Sequence, residues 1–145
     1  MKIVEVFSED GRIVGIEWLA RSEGVHRQLR AHLPTDYTAK MKRVLENSCM
    51  ALAVEGDTVL GLAVYRWHEN TYDGLKFYID DLVTDDARRS EGVGHALIAH
   101  LEKIARGLGA SGLVLDSGTQ RSQAHKFYFR EGFVITSFNF KKTFS

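Results

Sequence analysis

The sequence predicts one α/β domain in which strands and helices pack in layers. Three observations lead there. The 145 residues match the usual size of a single domain. Runs rich in β-branched and aromatic residues are interspersed with segments of helical spacing. No internal repeat, low-complexity tract or linker-like stretch divides residues 1–145, and the one proline, Pro34, lies between two helix-like segments.

Each element has its own signal. Ile3 to Phe7 and Arg12 to Ile16 are β-rich and joined through Glu9-Asp10-Gly11, a hairpin pattern. Gly24 to Leu33, with Val25 and Leu29, and Thr38 to Asn47, with Met41, Val44 and Leu45, read as amphipathic helices. Met50 to Val54, Val59 to Arg66 and Lys76 to Thr84 read as three strands, the first two turning at Glu55-Gly56-Asp57. His95 to Leu108 repeats Leu97, Leu101, Ile104, Ala105 and Leu108 at helical spacing and stops near Gly107 and Gly109. A short strand at Gly112 to Leu115, a short helix at Ser122 to Arg130 and a strand from Phe133 to Phe140 complete the chain.

Composition narrows the function. Nineteen Lys and Arg balance nineteen Asp and Glu, so the formal net charge is zero and there is no global basic field for nucleic acid. Hydrophobic residues at 44% and charged residues at 26% are ordinary for a globular protein, and at this length the core needs neither disulfide nor structural metal. Cys49 has no cysteine partner, and Met1 to Val6 reads as strand rather than signal peptide. A cytoplasmic location is expected. No apolar run approaches a membrane span. The six histidines lack H-x-H or H-x-x-x-H spacing, so no metal site is expected, and Cys49 reads as a small core residue.

The chemistry concentrates between Asp80 and Gly94, where a strand runs into a glycine-bearing turn that opens the long helix. Amides at a helix N-terminus, together with the helix dipole, attract phosphate oxygens, and glycines let the backbone approach. A dinucleotide fingerprint needs a glycine where Leu97 stands, and a P-loop needs a Gly-Lys-Ser/Thr that is missing. What remains is Arg89-x-x-Gly92-x-Gly94, followed by Ala124-x-x-Phe127-Tyr128-x-x-x-Gly132-Phe133.

These two ordered motifs resemble the signatures of the GCN5-related N-acetyltransferase (GNAT) family, and the resemblance covers residues 50 to 140. It implies the single-domain acyl-coenzyme A N-acyltransferase fold, with a mixed, mainly antiparallel, splayed sheet flanked by helices, and acetyl-coenzyme A as co-substrate. The backbone of Leu82, Val83 and Thr84 would then pair with the pantetheine arm. Amides from Arg89 or Ser90 through Glu91, Gly92, Val93, Gly94 and His95 would wrap the pyrophosphate. Tyr128 would donate a proton to the leaving thiolate; on its own residues it also reads as packing beside Phe127 and Phe129. Thr84, Asp86 and Arg121 depart from the family pattern, and Arg121 stands where an Asn often contacts coenzyme A.

Tyr78-Ile79-Asp80-Asp81-Leu82 is similar to a strand of the diamine and polyamine acetyltransferase branch. That likeness implies Asp80 as the base that deprotonates the amine and Asp81 as a substrate contact. Neighbouring strand residues face opposite ways unless a bulge re-aims one, and either acid also reads as an arginine partner. From Arg66 to Asp86 six acids face two bases, a local balance of minus four that suits a cationic acceptor; from Arg121 to Ser145 five bases face one acid. Trp18, Trp67 and Tyr72 read as core or as pocket lining. The expectation is acetyl transfer to a small cationic primary amine. The rivals are acetylation of a protein N-terminus or lysine and a coenzyme A-binding regulatory module without turnover. Homodimers are common in the family.

Overall fold

A computed structural model describes all 145 residues. The chain runs β1 (Lys2–Glu9), β2 (Arg12–Val14), α1 (Glu17–Leu29), α2 (Tyr37–Val44), β3 (Cys49–Glu55), β4 (Thr58–Asn70), β5 (Gly74–Thr84), α3 (Val93–Leu108), β6 (Leu113–Leu115) and α4 (Ser122–Arg130). The six strands make one mixed sheet in the order β2-β1-β3-β4-β5-β6, and every pair from β2 to β5 is antiparallel. The chain forms two compact units, Met1–Val114 and Leu115–Ser145. No helix is long and apolar enough to cross a membrane.

Local chemistry accounts for the turns. Asp10 and Gly11 both take positive φ (51° and 76°) between Glu9 and its partner Arg12, the backbone that a two-residue hairpin requires. Asp36 caps α2 by accepting from the Ala39 amide (3.0 Å). Helix α3 runs through Gly107 and ends at Gly109, whose φ of 86° lets the Ala110 amide reach back to the Ala105 carbonyl (2.9 Å).

Helix α1 starts at Glu17, earlier than the apolar spacing predicts, and ends at Leu29 rather than Leu33. Its buried stripe is Trp18, Leu19, Ser22, Val25 and His26. Two of the five are polar, so a count of apolar residues misses the first turns.

The two faces of the sheet differ in side-chain size. Met50, Leu52, Val54, Leu62 and Val64 join Trp18, Leu19, Tyr37, Met41 and Leu45 in one core under α1 and α2. Alternation sends Ala51, Ala53, Gly61 and Ala63 to the other face, where α3 packs with Val93, Leu97, Ile98, Leu101 and Ala105 buried. Beyond Tyr65, where β3 pairing stops, β4 and β5 continue as a two-stranded arm to Asn70 and Gly74.

In the second unit α4 matches its predicted bounds, but the strand expected from Phe133 to Phe140 does not form. A strand needs a partner for its backbone groups, and this segment has no ladder in its own chain. Asn139 Nδ2 donates to Asp116 Oδ2 (3.2 Å) instead.

Candidate active site

The β5-to-α3 connection is built by one residue class after another. Strand β5 hands over to a single 3-10 turn, Asp86–Arg88, capped by Asp85, which accepts from the Ala87 amide (3.1 Å). Gln28 of α1 pins this corner, donating to Asp85 Oδ1 (3.1 Å) and accepting from the Asp86 amide (2.8 Å). Those hydrogen bonds, Gln28 first and then Ala87, hold the Asp85 carboxyl below its ordinary pKa. Ser90 (φ 64°) and Gly92 (φ 81°) then take left-handed conformations that reverse the chain into α3.

Gly92 caps α3 with no side-chain bond, and the first backbone bond of the helix runs from the Ala96 amide to the Gly92 carbonyl (3.0 Å). The amides of Val93, Gly94 and His95 lie ahead of that bond, at the end where a helix offers its N–H groups no carbonyl. A Cβ built on Gly92 meets nothing within 4 Å. Arg88 pairs with Glu91 (2.9 Å) and Arg89 with Asp86 (2.5 Å), so the loop's own acids hold its arginines at the surface.

Gly61 belongs to this site although the sequence reading passed over it. A Cβ there would stand 2.7 Å from Val93 Cγ1 and 2.8 Å from the Val83 carbonyl oxygen. The missing Cβ lets the first residue of α3 sit against β4, beside the Val83 carbonyl of β5. The signal was available, since a glycine inside a strand marks close approach.

Asp80 and Asp81 sit at a β-bulge. Val64 pairs with Asp81 and Tyr65 with Ile79, which leaves Asp80 as the extra residue on β5. Alternation would have sent the two carboxylates to opposite faces, but both find partners on the α1 side. Asp80 takes Arg66 Nε (2.8 Å) and Nη2 (3.3 Å). Asp81 is enclosed: Oδ2 meets His26 Nε2 at 2.7 Å, and Oδ1 accepts from Arg30 Nε (2.9 Å) and Nη2 (2.7 Å). Arg30 Nη2 also donates to the Asp80 carbonyl (3.1 Å), tying the bulge to the end of α1.

Burial works to raise the Asp81 pKa, but the hydrogen bonds from His26 and Arg30 outweigh it and hold the carboxyl below its usual value. The expected substrate contact at Asp81 therefore meets a carboxylate whose two oxygens are already used. Its side chain is 14% exposed, against 32% for Asp80.

Behind Asp81 the network runs inward. His26, 2% exposed, places Nδ1 2.7 Å from the Tyr37 hydroxyl, which lies 3.0 Å from Ser22 Oγ; Ser22 donates to the Leu19 carbonyl. Burial pushes the Tyr37 phenol up to about 12, so it stays protonated and serves as a hydrogen-bond relay. Arg27 donates to the carbonyls of Leu33 and Pro34 (2.6 Å each) and so holds the α1–α2 loop over this network.

A second cluster joins β1, β4 and α3: Tyr65 donates to Glu5 (2.8 Å), and Glu5 meets His100 Nε2 (2.5 Å). Burial raises both the Tyr65 phenol and the Cys49 thiol, which makes Cys49 a poor nucleophile at neutral pH. Trp18 belongs to the core, whereas Trp67 is 40% exposed on the arm, stacked on Phe77 (6.0 Å, 6°), and Tyr72 is 93% exposed at its tip.

The negative balance counted from Arg66 to Asp86 is reduced but not cancelled in space: Arg30, beyond the end of α1, faces Asp81 and Arg89 pairs with Asp86, while Arg66, already in the count, pairs with Asp80. Tyr128 lies in the second unit on α4, half-buried, its ring 5.6 Å from those of Phe127 and Phe133 in edge-on contacts. Arg121 is the N-cap residue of the same helix and makes no side-chain cap. Asp80, Asp81, residues 82–84 and the loop through His95 thus share the first unit, and Tyr128 belongs to the other.

Known proteins resemble this chain in sequence and in fold. The acetyltransferase (GNAT) family matches residues 12–133. An uncharacterised N-acetyltransferase, YhdJ of Bacillus subtilis, is 33% identical over 130 residues, covering 87% of this chain and 91% of that protein. Among solved structures, the aminoglycoside N-acetyltransferase AAC(6')-Iy in complex with CoA has a TM-score of 0.82 at 17% identity, over 98% of this chain and 93% of that one. An aminoglycoside acetyltransferase from an uncultured soil metagenomic sample, in complex with sisomicin, has a TM-score of 0.81 at 15% identity, over 99% and 96%.

Proposed function

The chain belongs to the acetyltransferase (GNAT) family, and on that premise we propose that it moves the acetyl group of acetyl-coenzyme A to the primary amine of a small cationic molecule. The observation that carries this reading is the strand-to-helix corner. Gly92, left-handed with open space above it, places the amides of Val93, Gly94 and His95 at the end of α3, ahead of its first helical bond. Such an end is suited to a pyrophosphate.

Strand β5 has eleven residues and β6 only three. Much of the β5 edge away from β4 therefore has no strand beside it, and Leu82, Val83 and Thr84 are suited to hold an amide-bearing arm there. When bound, acetyl-coenzyme A supplies an activated thioester carbonyl.

The protein's part is then to bind, orient and move protons. An ammonium has no lone pair, so a group on the protein must accept its proton before nitrogen attacks the carbonyl carbon. Asp80 is the more open of the two carboxylates at the bulge, and we assign it that role, with Arg66 holding it in place. Asp81 is assigned to positioning, fixing the bulge through His26 and Arg30. As the C–N bond forms and the C–S bond breaks, the departing thiolate takes a proton, which we assign to the Tyr128 hydroxyl on the strength of its motif.

Support for a small amine comes from the two aminoglycoside acetyltransferases that share the fold. The test is thiol release from acetyl-coenzyme A with purified protein, comparing polyamines and aminoglycosides with peptides carrying a free N-terminus or a lysine. Release above the amine-free rate with small amines alone is the expected result. Release with peptides alone makes the protein a protein acetyltransferase. Binding of acetyl-coenzyme A with no release by any amine makes it a regulatory module.

A further inference from the structure

Helix α1 packs on β4 and β5, and its last turn grips the β5 segment at two places. At one, His26 and Arg30 take the Asp81 carboxylate, and Arg30 also holds the Asp80 carbonyl. At the other, Gln28 donates to Asp85 Oδ1 (3.1 Å) and accepts from the Asp86 amide (2.8 Å). Between the two lie Leu82, Val83 and Thr84, the strip suited to the pantetheine arm. At about 3.3 Å per residue, Asp81 and Asp85 are about 13 Å apart along the extended chain.

Helix geometry explains the straddle. His26 and the C-cap residue Arg30 are four apart and share a face, whereas Gln28, two residues from each, projects from the other side. The end of α1 therefore lies across residues 82–84 with polar side chains reaching down both flanks.

The Gln28 bonds contribute little to folding. Gln28 is exposed, as are the groups it meets, so water would satisfy them nearly as well. What the bonds fix is geometry. Asp85 caps the 3-10 turn through the Ala87 amide, its own amide donates to the Leu60 carbonyl of β4 (2.8 Å), and its carbonyl accepts from the Arg88 amide (2.8 Å). The side chain that orients Asp85 and Asp86 thereby orients the approach to the Ser90–Gly92 reversal and to the first amides of α3. A corner left to fluctuate has to be ordered by its ligand, and that ordering subtracts from affinity.

We propose that Gln28 is a positioning residue for acetyl-coenzyme A, and that through it α1 makes binding at the pyrophosphate corner depend on the Asp81 clamp. The inference rests on the reading of that corner as the pyrophosphate site. Gln28 acts through Asp85 and Asp86 rather than by touching the ligand. One helical turn then holds the acceptor side and the co-substrate side of the site in register.

Continuity of hydrogen bonds is not in itself coupling, so the test is a double-mutant cycle. Acetyl-coenzyme A affinity is measured by calorimetry and stability by thermal melting at pH 7, for wild type, Gln28→Met, Asp81→Asn and the double variant. Gln28→Met keeps the length of the side chain and removes both bonds. It should melt within about 2 °C of wild type, as exposed substitutions do, yet bind acetyl-coenzyme A about tenfold more weakly. Asp81→Asn should weaken binding about fivefold from the far flank of residues 82–84, and in the Gln28→Met background it should add almost nothing, because the link is already cut. Arg30→Gln, which loosens the same clamp from its exposed side, replaces Asp81→Asn if that variant fails to fold.

A Gln28→Met protein that binds as tightly as wild type overturns the proposal. So do losses that multiply in the double variant, since Gln28 and Asp81 then act independently. A Gln28→Met protein that melts far below wild type makes Gln28 a folding residue and overturns it as well. A wild type that binds no acetyl-coenzyme A removes the pyrophosphate reading itself, and this inference with it.

Discussion

Asp81→Asn is the most informative single change, because it separates a clamp from a substrate contact. The carboxylate accepts two bonds from Arg30 and one from His26 in a setting only 14% exposed. Removing one partner of a buried ion pair costs about 3–5 kcal/mol. Arg30 is 42% exposed and can recover water, and the amide oxygen can still accept from it, so about 3 kcal/mol is the appropriate end. With an unfolding entropy near 2.1 cal/mol/K per residue, a chain of this length should melt about 10 °C lower at neutral pH.

The pH dependence follows from the direction of the shift. Asp81 has a depressed folded-state pKa, so its contribution is complete above the unfolded value near 4 and is lost as pH falls through the folded value. The gap between wild type and variant should therefore begin to close below about pH 4 and vanish only below the folded-state value. Thermal melts from pH 7 to pH 3, followed by circular dichroism, read this directly. An Asn variant that melts with the wild type at pH 7 but loses acceptor affinity would refute the clamp and restore Asp81 to the substrate. A gap that stays constant into acid would show that something other than the ionised carboxylate is responsible.

Gly61→Ala should cost about 1–3 kcal/mol through overpacking against Val93 and the Val83 carbonyl and should weaken acetyl-coenzyme A binding with it; a melt and calorimetry check both. Gly92→Asp should largely abolish acetyl-coenzyme A binding. Gly92→Asn, which tolerates the left-handed backbone and adds no charge, should retain more of it, so equal losses by calorimetry would remove the phosphate from this corner. Asp80→Asn should lower acetylation most at neutral pH and least where the acceptor is already a free amine; parallel pH profiles at equal rates would leave Asp80 a structural partner of Arg66. Tyr128→Phe should keep the fold and acetyl-coenzyme A affinity and lower turnover roughly ten- to a thousandfold with a good acceptor, and wild-type turnover across the pH range would make it a packing residue.

What the sequence determined by itself is local. The Asp10-Gly11 hairpin, the bounds of α4 and the glycine-bearing entry into α3 were all legible, because each depends on a few adjacent residues whose backbone preferences select one conformation. The family motifs were legible for the same reason. Tertiary structure decided the partners. In its own stretch Asp81 read as either a substrate contact or an arginine partner, and only the packing of α1 brings Arg30 and His26 to it from some fifty residues upstream. The bulge at Asp80 is a matter of register between β4 and β5, which neither strand encodes alone. The early start of α1 was hidden because Ser22 and His26 hold core positions as polar residues, an arrangement that becomes favourable only when Tyr37 and Asp81 are present to satisfy them. Residues 133–140 carry a strand's alternation, but a strand is completed by a neighbour's backbone, and whether that neighbour exists is decided by tertiary and quaternary packing.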